Sequence, residues 1–262
     1  MCPQIASHVS QRTITIRRPV ECSVCQFNAE KLERIYKNND LKQLEEFFQL
    51  WSNCSQQERV ITNETLPEFI LDAYEIFQDF YNPYNLSRIA KLPPEQSIYQ
   101  DAPYFIIQEK LIITKRITLE KDDFGDYTSP ADFKLTLNDF YPNIEVSEGI
   151  SLYLAAYDRD NLLQFLGDES YPLGHGGIMN PARAKGDSRK RQRFLNLFVR
   201  IIHGHWSGWH LESHPYVYSV NFNRDYSEAI VDFRIIYEGG EARYKKEQGK
   251  WTLIESGLTW ME

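Results

Sequence analysis

Four of the six histidines fall within twelve residues: His203, His205, His210 and His214, with Glu212 among them. Imidazoles beside a carboxylate are a donor set suited to zinc or iron, so a metal site is the first chemistry to weigh. Spacing argues against it. On a strand over 209–214, His210, Glu212 and His214 share a face, but the outer two stand about 13 Å apart. A helix would bring His210 and His214 together at i and i+4. Gly208 and Pro215 on either side disfavour that helix. His203 and His205 flank a helix end, so no shared face follows. The reading adopted is no metal and no cofactor. Trp206 and Trp209 pack, the glycines turn the chain, and the histidines hydrogen-bond locally.

The segment 183–193 is a basic island in an acidic chain, with Arg189 and Arg193 on the helix that Ser188 opens. Backbone donors at a helix start attract anions, so phosphate, nucleic acid or an acidic partner could dock there. A solvated helix face is the plainer reading. His175 sits in Gly174-His175-Gly176-Gly177, an oxyanion-like loop, but no G-x-S-x-G elbow accompanies it. No P-loop, dinucleotide fingerprint or H-E-x-x-H occurs. The Cys22-Cys25 pair lacks the second pair that a zinc ribbon needs. A ligand or partner is therefore assigned to His175, Arg189, Arg193, His203, His205, Trp206 and Trp209, and no residue to catalysis.

Composition bounds the rest. A chain of 262 residues with net charge −8 repels phosphate on average, so nucleic acid and anionic membrane are disfavoured partners. No apolar run reaches a membrane span. The start, Met1-Cys2-Pro3-Gln4, has no continuous apolar region and reads as no secretory leader, which predicts a cytoplasmic protein. Aromatics at 14% supply large core rings.

The elements follow from periodicity. Residues 1–27 read as a peripheral segment with an edge strand at 13–16. Residues 28–145 read as a helical and β-hairpin unit. Leu32, Ile35 and Tyr36 mark a first helix, broken at 38–40, where Asp40 caps a second carrying Leu44, Phe47, Phe48 and Trp51. Thr65-Leu66-Pro67-Glu68 reads as a capping box for a third. Strands at 104–118 and 133–137 are joined by a polar hairpin loop over 121–126. From 146 to 262 the pattern predicts a helix capped by Ser147, a short helix over 162–166, and a helix from Ser188 burying Phe194, Leu197, Phe198 and Ile201. A strand meander follows, with a Gly239-Gly240 turn and a Gln248-Gly249 turn. The odd-numbered residues from Ala229 to Tyr237 form the apolar face, and Trp251 anchors the last strand. The class is α+β.

Three stretches carry a resemblance: Tyr157-Asp158-Arg159-Asp160-Asn161-Leu162-Leu163, Glu228-Ala229-Ile230-Val231-Asp232-Phe233 and Gly249-Lys250-Trp251-Thr252-Leu253-Ile254. On them, 147–262 resembles the nuclear-transport-factor-2-like superfamily, the cystatin-like α+β cones. The resemblance implies a curved antiparallel sheet around a pocket, and the whole chain looks like a bacterial protein. The superfamily holds dehydratases, isomerases, cyclases and non-catalytic modules. No Asp-His pair here matches the enzymes' positions. The expected function is a non-catalytic protein whose cone binds a small ligand or protein partner, with a homodimer through the sheet. A cofactor-independent lyase or isomerase is the alternative, and a metal-dependent enzyme using 203–214 the third.

Overall fold

A computed structural model describes residues 12–18, 28–55, 57–62, 66–154, 156–166, 187–203 and 209–261. The first elements are β1 (Thr13–Arg18), α1 (Ala29–Lys37), α2 (Leu41–Ser55) and β2 (Gln57–Thr62). Asn28 starts α1 by accepting from the Glu30 amide at 2.6 Å, and Asp40 starts α2 through the Gln43 amide at 3.0 Å. Both follow the capping logic of exposed helix-end amides. Leu32, Ile35, Leu44, Phe47, Phe48 and Trp51 are buried as their spacing requires. β2, unforeseen in the sequence, pairs antiparallel with β1.

Next comes α3 (Glu68–Phe80), with Ile70, Ala73, Tyr74, Phe77 and Phe80 buried. Its N-cap is Pro67, without a side-chain cap bond, in place of the expected Thr65, which lies outside the described residues. The order continues α4 (Ser87–Ala90), β3 (Tyr104–Ile107), β4 (Leu111–Arg116), β5 (Ala131–Leu137), β6 (Ile150–Tyr153), α5 (Ala156–Leu166) and α6 (Ser188–Leu195). The last strands are β7 (Ile202–His203), β8 (Trp209–His210), β9 (Tyr216–Phe222), β10 (Glu228–Ile235), β11 (Glu238–Glu247) and β12 (Lys250–Met261). The chain is α+β, with a mostly antiparallel curved sheet.

Six strands form the main sheet in the order β12-β11-β10-β9-β4-β5, in which β4 and β9 are the parallel pair. A separate parallel ribbon, β3 with β6, divides two cores. Side chains alternate along a strand. Phe105, Ile107 and Tyr153 therefore enter the core of α3 and the main sheet. Tyr104, Ile106 and Leu152 enter a second core built with α1, α2, α5 and α6. Both cores draw on residues from either side of position 145. The expected boundary there coincides with no break in packing, and β4 and β5 complete the sheet of β9–β12.

Four local expectations change. The helix expected from Ser147 is instead β6, because Leu152 and Tyr153 serve opposite cores, which a strand allows and a one-sided helix does not. The short helix over 162–166 is the end of the single helix α5. α6 stops at Leu195, leaving Leu197 52% exposed. The β10–β11 turn falls at Ile236-Tyr237, with Ile236 at φ +55°. Gly239 and Gly240 lie inside β11, where the Trp260 and Phe233 rings cross the backbone and a Cβ would collide. The Gln248-Gly249 turn stands as expected, at φ +50° and +81°. Of the face expected to be buried, Ala229, Val231, Phe233 and Ile235 of β10 are buried while Tyr237, in the turn, is half-buried, and Trp251 is buried against Phe222. Among the described residues no helix is long and apolar enough to cross a membrane.

Candidate functional site

The spacing argument that separates His210 from His214 fails in three dimensions. β8 ends at His210, and the chain then bends through 211–215, so the two imidazoles meet with Nε2 to Nε2 at 3.1 Å. Both are buried. The Ile236 amide reaches His214 Nδ1 at 3.0 Å, and His210 Nδ1 lies 3.0 Å from the Glu212 carbonyl oxygen. Two neutral rings satisfy this chain in one direction: Ile236 N–H to Nδ1, Nε2–H to Nε2, Nδ1–H to carbonyl. In the opposite tautomer of His214, the Arg234 carbonyl at 2.8 Å accepts instead. Burial, and then His210, hold His214 well below the ordinary histidine range. Among the described residues no three His, Cys, Asp or Glu side chains form a metal-ligating group. His205 and Trp206 lie outside the described residues, and His203 and Trp209 are described in their backbone alone, paired across β7 and β8.

Beside the imidazoles, Arg159 of α5 stands between two carboxylates. It donates to Glu212 and pairs with Glu109 through Nε at 3.2 Å. Burial raises Glu109 above the usual carboxylate range. Burial pushes Glu212 the same way, but Arg159 and then His210 outweigh it and hold Glu212 low. The segment is stitched to β3, with the Ser213 amide on the Ile106 carbonyl at 2.8 Å and the Ile106 amide on Ser213 Oγ at 3.0 Å. Tyr99 Oη accepts from the His214 amide at 2.6 Å. These bonds make the cluster part of the wall between the two cores.

The basic island separates into two roles. Arg191 is buried, bonded to Glu33 and to Asp187 at 2.7 Å, with its guanidinium 4.8 Å from the Tyr36 ring centre. Arg189 and Arg193 are exposed on the outer side of α6. The Asp187 carboxylate stands at the helix start where an anion was expected, held low by Arg191. His175 and its glycine loop lie outside the described residues, as do Cys22 and Cys25.

A second polar cluster lies on the face of the sheet opposite α3. Strand register sets Ile112, Ser219, Asp232, Glu241 and Gly257 in one row across five strands. Asp232 Oδ2 accepts from Tyr127 Oη at 3.0 Å, Asn221 Nδ2 at 2.8 Å and Ser219 Oγ at 3.1 Å. Lys121, from the β4–β5 connection, donates to Asp232 Oδ1 at 2.7 Å and to Glu241 at 2.9 Å. Its ammonium is 4.4 Å from the Tyr127 ring centre. Burial and the neighbouring Asp232 raise the Tyr127 phenol, so it stays a donor.

Above this row opens a cleft of about 890 Å³, walled by the 119–127 connection, Tyr218, Thr259 and Trp260. A smaller one of about 280 Å³ shares Glu241, Arg243 and Thr259. Two bulges shape the wall. Register skips Tyr218 between Ser219 and Val217, and Thr259 between Trp260 and Leu258. Bulges re-aim side chains and concentrate beside functional sites. At Gly257 a Cβ would meet nothing within 4 Å, so the end of the row is open. None of these residues was assigned to a site from the sequence. The one signal was an acid, Asp232, flanked by Val231 and Phe233 in β10.

No protein-family model, curated protein or solved structure matches the chain.

Proposed function

We propose that the protein is a non-catalytic binder built on a nuclear-transport-factor-2-like cone, and that it holds a small ligand or a partner's side chain in the outer-face cleft. The interior expected for the pocket is taken by the protein's own rings: Phe80 against Phe233 at 5.0 Å, and Phe222 against Trp251 at 5.6 Å. The carrying observation is the cleft of about 890 Å³ over a pre-ordered polar row, a size in the range of small-molecule sites. Amide resonances of isotope-labelled protein, followed during titration with a small-fragment set, test this. Shifts should gather at 119–127, 218, 241, 243, 259 and 260. Thr259→Trp, which puts a large ring on an exposed position of the cleft wall, should abolish them. Shifts elsewhere, or survival in Thr259→Trp, contradict the reading.

One observation favours a second reading, a cofactor-independent lyase or isomerase. Glu109 and Glu212 are pushed in opposite directions beside two imidazoles, the arrangement that separates an acid from a base. On that reading the same titration shifts Glu109, His210 and Glu212 instead.

A further inference from the structure

We infer that the cleft recognises an organic cation, a primary ammonium or guanidinium on an apolar or aromatic body, in the place that the Lys121 ammonium holds. This rests on reading the cleft as the ligand site. The chain itself shows what that place accepts. Lys121 Nζ stands 2.7 Å from Asp232, 2.9 Å from Glu241 and 4.4 Å from the Tyr127 ring centre. Two carboxyl groups and a ring face are a recognition set for an alkylammonium.

The set does not depend on Lys121. Asp232 and Glu241 belong to neighbouring strands of the sheet, paired directly across β10 and β11. Asp232 Oδ2 is fixed by three donors of its own, Tyr127, Asn221 and Ser219, which leaves Oδ1 aimed at the cation. Asn221 is itself held by Thr114 at 2.6 Å, so the acceptor is braced from behind. Lys121, by contrast, reaches in from a connection outside the sheet. A lysine is a point charge on a flexible stem, easily replaced by another ammonium. The connection keeps its shape by other bonds, Thr128 N to Glu120 O at 3.0 Å and Asp126 N to Asp122 Oδ1 at 2.9 Å.

Charge and walls agree with a cation. Six carboxylates line the cleft, against only Lys121 and Arg243. An anion entering would face that excess, while a cation is drawn in. The rim carries Phe124, 93% exposed, and Trp260, 48% exposed, ring faces that suit an apolar body behind the charge. Arg243 borders both clefts but is already engaged by Glu255 at 3.0 Å.

The test is calorimetric titration of the full chain with three probes that share a phenyl ring: 2-phenylethylamine, 2-phenylethanol and 3-phenylpropionate. The amine should bind at least about tenfold tighter than the other two, a gap of roughly 1.4 kcal/mol. Lys121→Met removes the internal competitor and should tighten the amine by about tenfold or more. Asp232→Asn should erase the preference for the amine. If Lys121→Met does not fold, Lys121→Gln carries the same comparison. Should the alcohol or the acid match the amine, with binding lost in Thr259→Trp, the cleft stands as the site and the cation inference falls. Should none of the three bind either wild type or the lysine variant, both fall.

Discussion

The two polar clusters are built to the same plan, one cation between two carboxylates, and they do different work. Arg159 sits between Glu109 and Glu212, and Lys121 between Asp232 and Glu241. Burial does not separate them, since the two cationic side chains are 20% and 15% exposed. What separates them is what each cation joins. The Arg159 guanidinium ties α5 to the segments flanking β4 and β9, beside a bonded imidazole pair that is itself stitched to β3. Removing it leaves charges without partners where two cores meet. Lys121 joins only a self-supporting connection to a row of side chains already braced by the sheet. Its loss opens a cleft and unties no element. The lesson is that a shared ion-pair pattern does not define a role, whereas the elements it connects do.

The largest expected effect tests whether the sheet's inner face is structure alone. Phe233 is 1% exposed and packs on Phe80 at 5.0 Å. Phe233→Ala should lower stability by about 3–5 kcal/mol in urea denaturation, the usual cost of deleting a core ring. A loss under about 1 kcal/mol would show that this face does not carry the core.

A smaller loss sharpens the boundary between the faces. A Cβ at Gly240 would strike the Phe233 ring and stand 2.7 Å from the Gly257 carbonyl oxygen. Gly240→Ala should cost about 1–3 kcal/mol through overpacking. The same change at Gly257, where a Cβ meets nothing within 4 Å, should cost a few tenths of a kcal/mol at most. Equal losses would erase the distinction between packed and open glycines.

The smallest effect is a pH slope. The folded His214 sits well below 6.5, so between that value and its folded one the unfolded chain binds a proton that the native state refuses. Stability contributed by neutral His214 is therefore present above 6.5 and lost as pH falls toward its folded value. Glu109, raised in the fold, has the opposite sign: its contribution is present below 4.5 and is lost as pH rises through its folded value. Comparing wild type with His214→Asn in urea at about pH 7.5 and about pH 5.5 isolates the histidine term. The wild type should lose more stability than the variant on acidification. A parallel loss would place His214 outside the proton balance.

Much of this arrangement was legible locally. Asp40 as a cap, the α3 periodicity, the 121–126 loop and the Gln248-Gly249 turn each depend on residues a few positions apart. The misreadings come from contacts across long separations. Leu152 and Tyr153 fit a helix until β3, more than forty residues earlier in sequence, claims them as a parallel partner. Gly239 and Gly240 signal a turn until Trp260 and Phe233 are seen to cross them. The imidazole pair depends on a bend that strand spacing does not encode. The outer-face site was invisible because its row draws one residue from each of five strands, and only register brings them together.

The most direct measurement is a paired urea denaturation of Arg159→Met and Lys121→Met against wild type in one buffer. If one cluster ties the fold and the other serves binding, Arg159→Met should lose about 3–5 kcal/mol, as expected for a broken buried ion pair. Lys121→Met should then lose clearly less, because Asp232 keeps its three other donors and Glu241 opens onto the cleft. Equal losses, or a larger loss at Lys121, would make both clusters structural and contradict the account.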